Sequence, residues 1–77
     1  MDVRIGIAET SQVIEIEMAD DADRDAIKKL LDGALAGSDK VLWLIDRRGK
    51  EYAIPAGRIS FAELSSAQAE RRIGFGA

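Results

Sequence analysis

The run Val41–Leu64, VLWLIDRRGKEYAIPAGRISFAEL, constrains this chain more than any other stretch. Apolar blocks are split first by Asp46-Arg47-Arg48-Gly49 and then by Pro55-Ala56-Gly57. That pattern reads as three strands joined by a tight turn and a bend. Asp46-Arg47-Arg48-Gly49 suits a type I turn with Gly49 left-handed in a bulge, which sets a register. Asp46 then faces Lys50, Leu44 faces Tyr52 and Leu42 faces Ile54. These last four side chains share one face, the core side. Val41, Trp43 and Ile45 turn to the other face, near Ala53 and Glu51. Pro55 cannot donate a ladder hydrogen bond, so the strand ends or bends there. Ile59–Leu64 resumes as a fifth strand.

Period-two alternation marks two earlier strands. Val3, Ile5 and Ile7 alternate with smaller or polar residues, and Ile14, Ile16 and Met18 alternate with Glu15 and Glu17. The polar Glu9-Thr10-Ser11-Gln12 between them predicts a hairpin, and glutamates on its wet face discourage sheet-to-sheet pairing. Asp20, Asp21 and Asp23 precede a helical stripe of Ala22, Ala26, Ile27, Leu30, Leu31, Ala34 and Leu35. Asp20 or Asp21 is placed to cap the first turn, and all three aspartates suit the positive helix end. Asp25–Lys29 and Lys28–Asp32 are spaced for ion pairs on the opposite face, and Gly37 is the left-handed stop. A helical turn capped by Ser65 or Ser66 is expected over Ala67–Arg72.

The expected fold is a single α+β domain over residues 1–77 with the order ββαβββ. One helix, about 22–36, packs on a four- to five-stranded mixed or antiparallel sheet. The strands fall at about 2–8, 12–18, 41–46, 50–55 and 59–64, with a flexible tail at 73–77. A single helix covers only one face of such a sheet. Trp43 and its neighbours then have two readings: the sheet curls and buries the indole, or the face meets a partner.

A chain of 77 residues buries only about 60% of its unfolded surface, so small domains often add a staple. There is no Cys to form a disulfide, and without Cys or His the usual ligands of zinc, haem and iron–sulfur centres are missing. No metal and no cofactor is expected, and self-association remains as the staple. No apolar run approaches the length of a membrane span, and the alternating N-terminus is unlike a signal peptide. The expected location is cytoplasmic.

Catalysis finds no foothold in these residues, and no catalytic residue is assigned. Without His, Ser–His and Cys–His pairs are impossible, and Ser38, Ser60, Ser65 and Ser66 sit in no Ser–Lys motif. The aspartates at 20, 21 and 23 are explained as helix caps, and they would repel phosphate from that helix opening. Nucleic-acid binding would use Arg47, Arg48 and Lys50 at the hairpin tip with Arg58 on the sheet rim, and Trp43 and Phe61 where they could stack. The net charge of −3 opposes it. The preferred expectation is a non-enzymatic protein-interaction domain, a homodimer or small adaptor, anchored by Val41, Trp43, Ile45 and the tail residue Phe75. Its partner is itself or another protein; binding of RNA or single-stranded nucleic acid is the alternative.

Two resemblances add to this reading. The hairpin and acid-capped helix of the first half resemble the opening of the ubiquitin-like β-grasp fold, in which the first and last long strands lie parallel. The ending Gly74-Phe75-Gly76-Ala77 lacks the Gly-Gly through which ubiquitin-like carriers react. Over nearly its whole length the chain resembles a family of small actinobacterial proteins, the domain of unknown function 3107. That resemblance rests on Val3-Arg4-Ile5-Gly6, Asp46…Gly49, Ile54-Pro55-Ala56…Ile59, Glu63 and the ending Arg71-Arg72-Ile73-Gly74-Phe75-Gly76. Gly57-Arg58 and Phe61-Ala62 depart from the common pattern without disturbing the fold. The family implies no activity and no site residue.

Overall fold

The computed structural model describes residues 1–65. Its elements are β1 (Asp2–Ile7), β2 (Val13–Glu17), α1 (Arg24–Leu35), β3 (Val41–Ile45), β4 (Glu51–Pro55), a 3-10 turn (Ala56–Arg58) and β5 (Ile59–Ser65). The class is α+β and the order is ββαβββ, as the patterning indicates. The strands form two antiparallel sheets, β2-β1-β5 and β3-β4, rather than one. The cause lies in the 3-10 turn after Pro55. The Ala56 N–H still donates to the Lys40 carbonyl at 2.9 Å, so the missing N–H of Pro55 faces away from β3, and the turn then redirects the chain so that β5 pairs with β1 instead of β4. The order is compatible with a β-grasp-like arrangement, but β1 and β5 run antiparallel, so the parallel pair expected from that resemblance is replaced. Ser65 ends β5, and the helical turn expected at 67–72 lies outside the described residues, as does the tail.

Alternation in the three-stranded sheet sends Val3, Ile5 and Ile16 inward, with Ile14, Ala62 and Leu64 partly buried beside them. From the other sheet come Leu42, Leu44 and Ile54, and from the helix Ile27, Leu31 and Ala34. Met18 and Ala56 close the core. Burying each large aliphatic side chain contributes about 1.5–3 kcal/mol. On the wet side of the three-stranded sheet, Arg4 sits between Glu15 and Glu63, 3.2 Å from each. Gly6 faces Phe61 across the β1–β5 ladder, and three ring atoms would lie within 3.0 Å of any Cβ added there.

The helix begins one step later than the aspartate run indicates. Asp23, not Asp20 or Asp21, is the cap, its carboxylate accepting from the Asp25 N–H at 3.0 Å and the Ala26 N–H at 3.4 Å. At the other end Gly37 adopts φ 81°. Its N–H donates to the Ala34 carbonyl while the Ser38 N–H donates to Gly33, a Schellman closure. The buried stripe is narrower than the periodicity indicates: Ile27, Leu31 and Ala34 are buried, whereas Leu30 and Leu35 are exposed. A helix resting against two small sheets touches them along one line, leaving the flanks of the stripe in water. Neither Asp25–Lys29 nor Lys28–Asp32 closes as an ion pair; the ion pairs among the described residues link strands and turns.

The β3–β4 hairpin has the register read from its turn: Leu42 opposite Ile54 and Leu44 opposite Tyr52. Gly49 is left-handed at φ 87°, and its N–H reaches the Asp46 carbonyl at 3.0 Å. The Asp46 side chain organises this turn. One carboxylate oxygen accepts the Arg48 N–H at 2.8 Å and the Lys50 N–H at 2.9 Å, and the other accepts the Tyr52 hydroxyl at 3.4 Å. The Lys50 N–H bond, with help from Arg48, Tyr52 and the Lys50 charge, holds the Asp46 carboxyl below its ordinary value of 3.8.

A depressed folded-state pKa means the turn is stabilised at neutral pH. That stabilisation is lost as pH falls from about 4 through the folded value. Asp46→Ala should therefore unfold at a lower urea concentration than wild type at pH 7. The difference should shrink steadily as pH falls below about 4, as paired urea titrations would show.

Candidate functional site

Strand β3 is the only strand of the described residues whose outward-facing positions are all large and apolar. Val41 is 42% exposed, Trp43 58% and Ile45 54%, whereas Leu42 and Leu44 between them are 2% exposed. The parity set by the turn thus holds, and the reading in which the sheet curls over the indole does not. On the adjacent β4 the same face carries Glu51, Ala53 and Pro55, which pair with Ile45, Trp43 and Val41. These partners are too small or too polar to cover an indole.

The site is more than a face. Trp43, Leu44 and Ile45 border a groove of about 260 Å³ whose opposite wall is formed by α1, with Ala26 and Leu30 among its residues. Inward-facing Leu44 and outward-facing Trp43 open on the same groove because, among the described residues, β3 pairs with β4 on one side and with no strand on the other, where just past its end the Arg47 N–H meets the Glu17 carbonyl. Leu30, 42% exposed, belongs to this groove and not to the core. Sequence periodicity could not separate it from Leu31. Both fall within the apolar arc, and only the position of β3 decides which one is covered. Phe75 lies outside the described residues.

The basic residues separate into two groups. Arg47, Arg48 and Lys50 gather at the β3–β4 tip, whereas Arg58 lies in the 3-10 turn at the far end of β4, five residues or about 17 Å away. Arg47 is already engaged. Its guanidinium pairs with the Glu17 carboxylate and its backbone N–H donates to the Glu17 carbonyl at 2.9 Å. The Glu17 bond and charge, with Asp20 beyond, raise its pKa further. This contact also ties the two sheets together. Lys50 holds its ammonium 5.1 Å from the centre of the Tyr52 ring. Trp43 and Phe61 belong to different sheets and form no common stacking platform. Among the described residues no three acidic side chains cluster to hold a metal ion, and no helix is long and apolar enough to cross a membrane.

Several residues of the familial resemblance that fall among the described residues have structural work within this geometry. Arg4 and Glu63 pair across strands, Gly6 makes room for Phe61, Asp46 and Gly49 build the turn, and Pro55 diverts β5. A family model described as "Protein of unknown function (DUF3107)" matches residues 1–76. The chain belongs to this family. No curated protein matches it. Membership accounts for the scaffold and assigns no chemistry to it, so the candidate site rests on the exposure of β3 and on the groove beside it.

Proposed function

We propose that this DUF3107 protein is a non-enzymatic protein-interaction domain of the cytoplasm, acting as a homodimer or small adaptor through the apolar surface of β3. The observation that carries this reading is the exposure of Trp43 between Val41 and Ile45, alongside Leu30 across the groove. An aromatic set among desolvated aliphatic neighbours is the usual energetic centre of an interface. A small core without disulfides gains stability when such a surface is covered. The separation of Arg58 from the hairpin tip and the engagement of Arg47 by Glu17 weigh against nucleic-acid binding.

Sedimentation velocity at tens of micromolar should give a dimer mass for wild type. Trp43→Glu should give a monomer with an unchanged circular dichroism spectrum. A wild-type monomer would remove the homodimer and leave only an adaptor for another protein, and a dimer indifferent to the substitution would remove β3 as the surface. If nucleic acid were the partner instead, single-stranded RNA would bind with a steep salt dependence.

A further inference from the structure

A second groove lies on the flank of α1 opposite Trp43, and the proposed interface does not use it. It offers about 190 Å³ between α1 and β5. Its apolar lining is Leu31 and Leu35 of the helix with Ala62 and Leu64 of the strand, and Leu35 is 51% exposed. Its charged lining is Arg24, Lys28 and Asp32. Helical spacing separates the two flanks: positions 24, 28, 31 and 35 fall on one side of α1, whereas Ala26 and Leu30 fall on the other. Leu64 immediately precedes Ser65, where β5 ends, so the chain that follows leaves from the groove itself. The family match continues past that point to residue 76. Small or polar residues, Ser66 to Arg72, come first, and then Ile73-Gly74-Phe75.

We propose that the chain's own tail fills this groove, with Ile73 and Phe75 seated on Leu31, Leu35, Ala62 and Leu64. Reach permits it. The stretch from Ser65 to Ile73 spans about 16 Å as an open chain, whereas Ala62 lies only about 10 Å back along β5. Side chains two apart project to the same side of an extended segment, so Ile73 and Phe75 enter together, and Gly74 lets the backbone lie close. Tethering decides the occupant. On so short a connection the segment is present at its own groove at a roughly millimolar effective concentration, far above a second copy or a separate partner at micromolar levels. The apolar pair makes the contact, and charge does not. The charged lining and Glu70-Arg71-Arg72 each carry one net positive charge, so salt leaves the seat intact or tightens it. The seat covers Leu35 and holds Phe75 on the far side of α1 from β3, so the tail takes no part in the Trp43 surface.

The chain has no native cysteine, so Leu35→Cys places a single thiol on the groove. In the full chain its alkylation should be slow, and adding Phe75→Ala should speed it roughly ten-fold with an unchanged circular dichroism spectrum. The protection should be the same at sub-micromolar and at tens of micromolar protein, in high salt, and with Trp43→Glu added, because it arises within one chain and apart from β3. Equal rates with and without the Phe75 ring would overturn the seat. Protection that appears only at the higher concentration would assign the groove to a second copy and overturn it as well. NMR of the unsubstituted chain answers the same question without a variant. The Leu31, Leu35 and Leu64 methyl groups should show contacts to the Phe75 ring, and in isotope-mixed samples only within a chain. A Phe75 ring without those contacts would overturn the proposal, whatever the β3 surface does.

Discussion

Leu44→Asp is expected to abolish folding, while Trp43→Asp, one residue away on the same strand, leaves the protein folded. Leu44 is fully enclosed in the cluster that joins both sheets to the helix. Truncation to Ala there costs about 2–5 kcal/mol. A carboxylate adds the penalty of an unpaired buried charge, several kcal/mol more. Total stability for a domain of this size lies near the lower end of about 5–15 kcal/mol, so the sum exceeds what is available. Trp43 keeps more than half its surface in water, and its replacement costs about 1 kcal/mol, mainly in strand preference and partial contacts. Thermal melts followed by circular dichroism separate the two cases. Equal damage from both substitutions would place the indole in the core and dismantle the site.

The next largest effect is expected at Gly6. Gly6→Val should cost about 1–3 kcal/mol, because a side chain at this position occupies the space of the Phe61 ring lying across it. Phe61→Ala, removing a ring that is itself partly exposed, should cost about 1 kcal/mol. The double variant should cost less than the sum, since valine then fills the room the ring has left, with a coupling of about 0.5–3 kcal/mol. Strict additivity in urea titrations would mean that the ring already lies elsewhere in solution and that the glycine serves some other purpose.

What could be read in advance divides along the range of the forces involved. The β3–β4 register was legible because one turn sets it: Asp46 and Gly49 leave a single way to close, and every pairing from Ile45 to Val41 follows. The outward direction of Trp43 followed from that parity, but its exposure did not, because a curled sheet would have buried the indole and only the packing decides between the two. The helix was legible as a helix, but its cap was not, because Asp20, Asp21 and Asp23 offer the same carboxylate and the preceding turn at Ala19–Ala22 chooses among them. The split into two sheets was hidden because it depends on β5 choosing β1 over β4, a long-range pairing that no local pattern encodes. Leu30 was misplaced for a related reason, since its exposure depends on where an edge strand stops.

The candidate site was therefore half legible. Its strand wall came from local geometry, and its helix wall came only from tertiary packing. The four basic residues show the same limit. Arg47, Arg48 and Lys50 are near neighbours through their turn, while Arg58 is carried away by β4.

Fluorescence of the lone tryptophan across a dilution series bears most directly on the central claim, that its indole is open in the single chain and covered on association. Emission should lie at the long wavelength of a wetted indole in the nanomolar range. It should move to shorter wavelength as concentration rises through micromolar values, with Trp43→Phe supplying the blank. An emission maximum that stays short at every concentration would show an indole buried within its own chain. One that stays long throughout would show a surface that no second copy covers.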